Sequence, residues 1–170
     1  MSNNTNLTET LNETKKTQVL SVLVENHVGV LNRVSGLFSR RMYNIESLSV
    51  GVTEDPTMSR MTIVTTADGD TLKQIMNQVS KLIDVKDIEI LSSDNAVLRE
   101  HVLVKVGAAD VAGVMQICNV FRANIVDISP EVMTAEMTGA PNKISAFVNL
   151  MEQFDVKDLV RTGLTGLKRG

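Results

Sequence analysis

The sequence predicts an α+β chain in which two βαββαβ units of the ferredoxin-like kind follow one another. Three observations carry that prediction. Between residues 18 and 92, stretches of strand-like and helix-like apolar spacing alternate in the order strand, helix, strand, strand, helix, strand. The same order recurs, more faintly, between 96 and 170, beyond the polar stretch Ser92-Ser93-Asp94-Asn95. The composition is 43% hydrophobic but only 3% aromatic, so the core must be built from Val, Ile, Leu and Met, which suits strands covered by helices. A chain of 170 residues accommodates two small domains.

Taken in order, the first seventeen residues are polar, contain acids and lack an apolar core segment, so they fit neither a secretory nor a transit peptide. We read them as a disordered tail whose N-x-T sequons at Asn3, Asn6 and Asn12 stay unmodified. The expected location is cytoplasmic. In the first strand Leu20, Val22 and Val24 share one face, with Val19 and Leu23 on the other. Glu25 to Gly29 is a polar break. Val30, Val34, Leu37 and Phe38 then form a helical stripe. Glu46 to Val52 is a second strand with Leu48, Val50 and Val52 inward, and Thr53-Glu54-Asp55-Pro56-Thr57 is a turn leading into a strand over 59–66. Asp68 offers an N-cap to a helix carrying Leu72, Ile75, Met76, Val79 and Leu82, and Val85 to Leu91 closes the unit.

In the second unit, strands are expected over 101–106, 124–128, 132–138 and 156–160. The helices between them carry Val111, Val114, Met115, Cys118 and Phe121, then Ile144, Phe147, Val148 and Met151. The glycine-rich tail from Thr162 to Gly170 receives no element. Cys118, the only cysteine, lies on an apolar stripe and reads as core; one cysteine excludes a disulfide framework and a cysteine zinc site.

Chemistry-bearing residues are few. His27 and His101 stand alone in sequence, without a second His, Cys or acid pair at metal-ligand spacing, and no nucleophile elbow, Walker loop or dinucleotide fingerprint occurs. The net charge of −3 and pI near 5.4 argue against nucleic-acid binding, and no apolar run is long enough to span a membrane. What remains is Asn26, Gly29 and Asn44. They have a structural reading, in which Asn26 caps the first helix, Gly29 relieves a tight turn and Asn44 takes a left-handed position. They also have a functional one. The strand 1 exit loop is expected near the start of strand 2. Helix N-terminal N–H groups there would hold the carboxylate of a free amino acid, and asparagine could serve its ammonium and carboxylate alike.

Residues 20–31 (LSVLVENHVGVL), 36–48 (GLFSRRMYNIESL) and 55–63 (DPTMSRMTI) closely resemble the regulatory (small) subunit of acetohydroxyacid synthase, also called acetolactate synthase, and the first two blocks are similar to an ACT domain, the amino-acid-sensing βαββαβ module. Residues 122–128 and the 161–170 tail extend the resemblance. It implies an ACT domain over 18–92 and a second ferredoxin-like α+β domain over 96–170. It further implies a chain without catalysis or cofactor of its own. Such a subunit binds and activates a catalytic large subunit that carries thiamine diphosphate, FAD and magnesium, and confers feedback inhibition by valine or another branched-chain amino acid. The effector would sit where two ACT domains form a homodimer, against Asn26, His27, Val28, Gly29, Val30, Asn44 and Ile45. An ACT-type regulator of another enzyme, or of transcription, is the alternative.

Overall fold

The structure is a computed structural model and describes residues 15–170. Two four-stranded antiparallel sheets, each covered on one face by two helices, make up the chain. The first unit contains β1 (Lys16–Glu25), α1 (Val30–Arg40), β2 (Ser47–Val52), β3 (Met58–Ala67), α2 (Gly69–Val79) and β4 (Val85–Leu91), with sheet order β2-β3-β1-β4. The second contains β5 (Ala96–Gly107), α3 (Val111–Phe121), β6 (Asn124–Ile128), β7 (Val132–Gly139), α4 (Pro141–Met151) and β8 (Val156–Lys168), in the order β6-β7-β5-β8. Both are ferredoxin-like, as the alternation predicted. The expected disordered tail lies outside the described residues as far as position 14. Lys16 and Thr17, assigned to that tail, instead pair with Ala67 and Thr66 at the start of β1.

The helix faces follow the apolar stripes closely. In the first unit Leu20, Val22 and Val24 bury against Val30, Val34, Leu37 and Phe38 of α1 and Leu72, Ile75 and Val79 of α2. Asp68 caps α2 by accepting from Thr71 N–H at 2.8 Å. In the second unit Val102, Val104 and Val106 bury against Val114, Cys118, Ile144, Phe147 and Met151. Burial raises the Cys118 thiol above its usual pKa, as expected of a core cysteine. Four expected core positions are instead exposed: Val50 and Val52, near the end of edge strand β2, and Val111 and Met115 on α3.

The largest departure from the sequence reading is the glycine-rich tail. It is the second half of β8, where residues 164–168 pair with Ala96–Glu100. Between the two halves a bulge at Glu100/Val102 interrupts the ladder. There Gly163 takes φ +75, and the Thr162 hydroxyl accepts from His101 N–H at 3.1 Å. Past the bulge, β8 lies across the outer face of the first sheet. Gly163 abuts Ser47, Ser49 Oγ donates to Leu164 O at 2.8 Å, Gly166 N–H donates to Thr62 Oγ1 at 3.2 Å, and Lys168 pairs with Glu89 at 3.0 Å. A third apolar cluster of Val19, Val64, Leu91 and Ala96, joined by Leu98 and Leu164, seals this crossing. Glu100, buried beside it, receives a bidentate pair from Arg161 at 2.8 and 2.7 Å. The outer face of the first sheet is thus partly covered by the chain's own C-terminal strand.

Candidate functional site

The loop between β1 and α1 is built by two neighbours. On one side the β2–β3 turn holds it: Asn26 N–H donates to Thr57 O at 2.7 Å, and Asn26 Nδ2 donates to Pro56 O at 2.9 Å. That turn is itself closed by Asp55, whose Oδ1 accepts from the Thr57 N–H and hydroxyl. On the other side Glu25 N–H donates to Asp84 O at 2.9 Å. Asn26 therefore does not cap α1. The cap residue is Gly29, in the left-handed region at φ +93, with no side chain closing the first turn. A helix start without a side-chain cap, beside an exposed loop, suits an anionic ligand group. Val28, next to this helix start, is 98% exposed.

A charged network underlies the loop. Asp84, only 3% exposed, accepts from His27 Nε2 at 2.9 Å and from Arg33 Nη1 at 2.7 Å. Glu25 stands 3.5 Å from His27 and pairs with Lys86 at 2.5 Å. Burial pushes the Asp84 carboxyl up, but the hydrogen bonds and charges of Arg33 and His27 outweigh it and hold the group below the usual carboxylate range. The hydrogen bond to Val28 O, then that to Asp84 and the negative charges of Asp84 and Glu25, raise the His27 pKa against the opposing cost of burial. Glu25, His27 and Asp84 bring ligand atoms within 4.8 Å of one another, a grouping that sequence spacing did not reveal. Both carboxylates already carry a cation, so the cluster reads as an ion-pair network and not as a metal site. Asp84 and Arg33 were missed as site residues because Asp84 lies 57 positions beyond His27.

Asn44 and Ile45 do not join this loop within one chain. Ser47 pairs with Val64, which pairs with Val19, whereas Glu25 pairs with Met58 at the opposite end of the sheet. The separation is six strand positions, about 20 Å. The expectation that the β1 exit loop lies near the start of β2 is therefore corrected. α1 carries the chain back along the sheet, so β2 begins at the far end. The left-handed position there is Met42, at φ 59, and not Asn44. Asn44 is exposed and its carbonyl accepts from Thr65 Oγ1 at 2.6 Å; Ile45 packs on the core of the first unit. Val30, the remaining predicted site residue, is buried in that same core.

Comparison with known proteins agrees with this architecture. Residues 20–87 match the family described as AHAS small subunit-like ACT domain, and residues 99–170 match that described as small subunit of acetolactate synthase. The chain is 46% identical to the acetolactate synthase small subunit of Mycobacterium bovis, covering 91% of this chain and 94% of that one. It is 43% identical to the Haemophilus influenzae small subunit, over 90% and 96% of the two chains. The crystal structure of the acetolactate synthase small subunit from Thermotoga maritima superposes with a TM-score of 0.85 at 37% identity, covering 91% of this chain and 98% of that one. Two matched halves in the family's order, and relatives aligned over nearly their full length, lead to one statement: the chain belongs to the family of acetolactate synthase small subunits.

Proposed function

We propose that this chain activates an acetolactate synthase catalytic subunit and makes it sensitive to a branched-chain amino acid, valine first, bound between two copies of the chain. One observation carries the placement of the effector. The β1–α1 loop with Asn26 and Gly29 lies at one end of β2, and Asn44 and Ile45 lie at the other. β2 is a sheet edge with Val50 and Val52 exposed, 46% and 60%. An antiparallel pairing of two β2 edges about a two-fold axis covers these valines and brings each loop against the partner copy's Asn44 end. Two equivalent sites result, each needing both copies.

The α1 N-terminus receives the amino acid's carboxylate, the asparagine side chains bind its polar groups, and the exposed Val28 packs on its aliphatic side chain. Burying a valine side chain contributes ~1.5–3 kcal/mol, so charge-assisted hydrogen bonds supply much of the rest. A coupling of ~1–3 kcal/mol to the catalytic subunit is enough for strong inhibition. Thiamine diphosphate, FAD and magnesium belong to that subunit in this reading, and this chain contributes no reacting group.

The test mixes the purified chain with an acetolactate synthase catalytic subunit and follows acetolactate formation with and without valine, leucine or isoleucine. Activity is expected to rise on adding the chain and to fall again with one of the amino acids. Asn26→Ala and Gly29→Asp should keep the rise and lose the fall. Normal inhibition of both variants would remove the site assignment, and no effect of the chain on the synthase would remove the regulatory reading.

A further inference from the structure

We propose that Asp84 is the positioning residue of the effector loop, a role that rests on the effector-site reading above and extends it to the α2–β4 connection. One residue fixes three points. Its carbonyl accepts from Glu25 N–H at 2.9 Å, where the chain leaves β1. Its Oδ1 meets His27 Nε2 at 2.9 Å, at the loop apex, and its Oδ2 accepts from Arg33 Nη1 at 2.7 Å, on the first turn of α1. Strand exit, apex and helix start are thereby referred to a single nearly buried residue, 3% exposed, the first through its backbone carbonyl and the other two through its carboxylate. Nothing else in the described chain bridges the two ends of this loop. The Asn26 bonds to Pro56 and Thr57 hold only its first half.

The arrangement also fixes the state of His27. Its Nδ1 lies 3.1 Å from Val28 O and its Nε2 2.9 Å from the Asp84 carboxylate. Both partners are acceptors only, so both ring nitrogens must be donors, and the imidazolium satisfies the pair where the neutral ring cannot. The charged groups facing the ring are Glu25 on β1, Asp84 before β4, and, through those carboxylates, Arg33 on α1 and Lys86 on β4. A His pKa raised by the fold means that the loop geometry is fully stabilised below the unfolded value near 6.5 and loses that contribution as pH rises through the raised value. The lowered Asp84 pKa sets the acid side: its contribution is present above the ordinary carboxylate range and is lost as pH falls through its own depressed value. Effector affinity should therefore weaken with rising pH beyond the His27 transition.

The experiment uses the full chain and titrates valine, leucine and isoleucine calorimetrically from pH 6 to 8.5, with the His27 ring titration followed by NMR and His101→Gln used for assignment. In Asp84→Asn, whose amide keeps the shape but not the charge, effector binding is expected to weaken about tenfold. The pH midpoint of binding should move to lower pH together with the His27 titration. Arg33→Gln, at a half-exposed side chain, gives a second variant should Asp84→Asn fail to fold; it should weaken binding while leaving the His27 titration raised. Wild-type binding and an unmoved His27 titration in Asp84→Asn would overturn the positioning role alone. Failure of the wild-type chain to bind any of the three amino acids would overturn the effector site and this inference together.

Discussion

Two glycines illustrate how one residue type answers different physical demands. Gly29 sits at φ +93 with nothing within 4 Å of where a Cβ would be, so its requirement is backbone conformation. Gly166 has no unusual φ, but a Cβ there would stand 2.6 Å from Leu91 Cδ1 and 2.7 Å from Leu98 Cδ2, inside the cluster that joins the sheets. Gly29→Ala should lower stability by about 1–2 kcal/mol through left-handed strain. Gly29→Asn should lower it less, since asparagine tolerates that region. Gly166→Ala should cost about 1–3 kcal/mol by overpacking, and Leu98→Ala in the same chain should recover part of it, because it removes one of the two atoms in the way. Denaturant unfolding of the four variants separates strain from crowding. Equal losses for Gly29→Ala and Gly29→Asn, or no recovery by Leu98→Ala, would contradict these assignments.

At the scale of the element, helices and most strands were legible because their apolar spacing is regular. All four buried α1 positions and all three of α2 lie on the stripes read from sequence. β8 was half missed for a physical reason. Residues 162–168 carry two glycines and no alternation, since their spacing serves a crossing over another sheet and not a single buried face. β2 was misjudged differently. Val50 and Val52 do lie on the helix side, opposite Met61 and Ser59, but no helix reaches the edge strand there. The candidate loop itself was legible, whereas its support at Asp84 was not, because a contact across 57 residues leaves no local pattern. The exposed edge carries its own prediction. Val50→Lys should leave the fold intact, since the side chain is 46% exposed, yet disrupt the proposed β2–β2 pairing by placing like charges near one another across the two-fold axis. Sedimentation should then report a monomer, and valine titration should lose its heat. A dimer of unchanged affinity would mean that copies associate elsewhere.

Across the whole molecule, the two units are joined by more than the Ser92–Asn95 turn. β8 belongs to the second sheet through β5 and touches the first through Ser47, Ser49, Thr62 and Glu89. Since Ser47 and Ser49 lie on β2, a shift of that edge strand meets the C-terminal strand directly, with Glu100 and Arg161 paired at the point of contact.

The placement of Asn26 and Asn44 at opposite ends of one sheet has a genetic consequence. In the proposed pairing, two copies defective at Asn26, or two defective at Asn44, would have no working pocket, whereas a mixed pair would combine both lesions in one pocket and leave the other whole. Coexpressing Asn26→Ala and Asn44→Ala chains should therefore restore roughly a quarter of the full amino-acid capacity, by intragenic complementation, although neither chain binds alone.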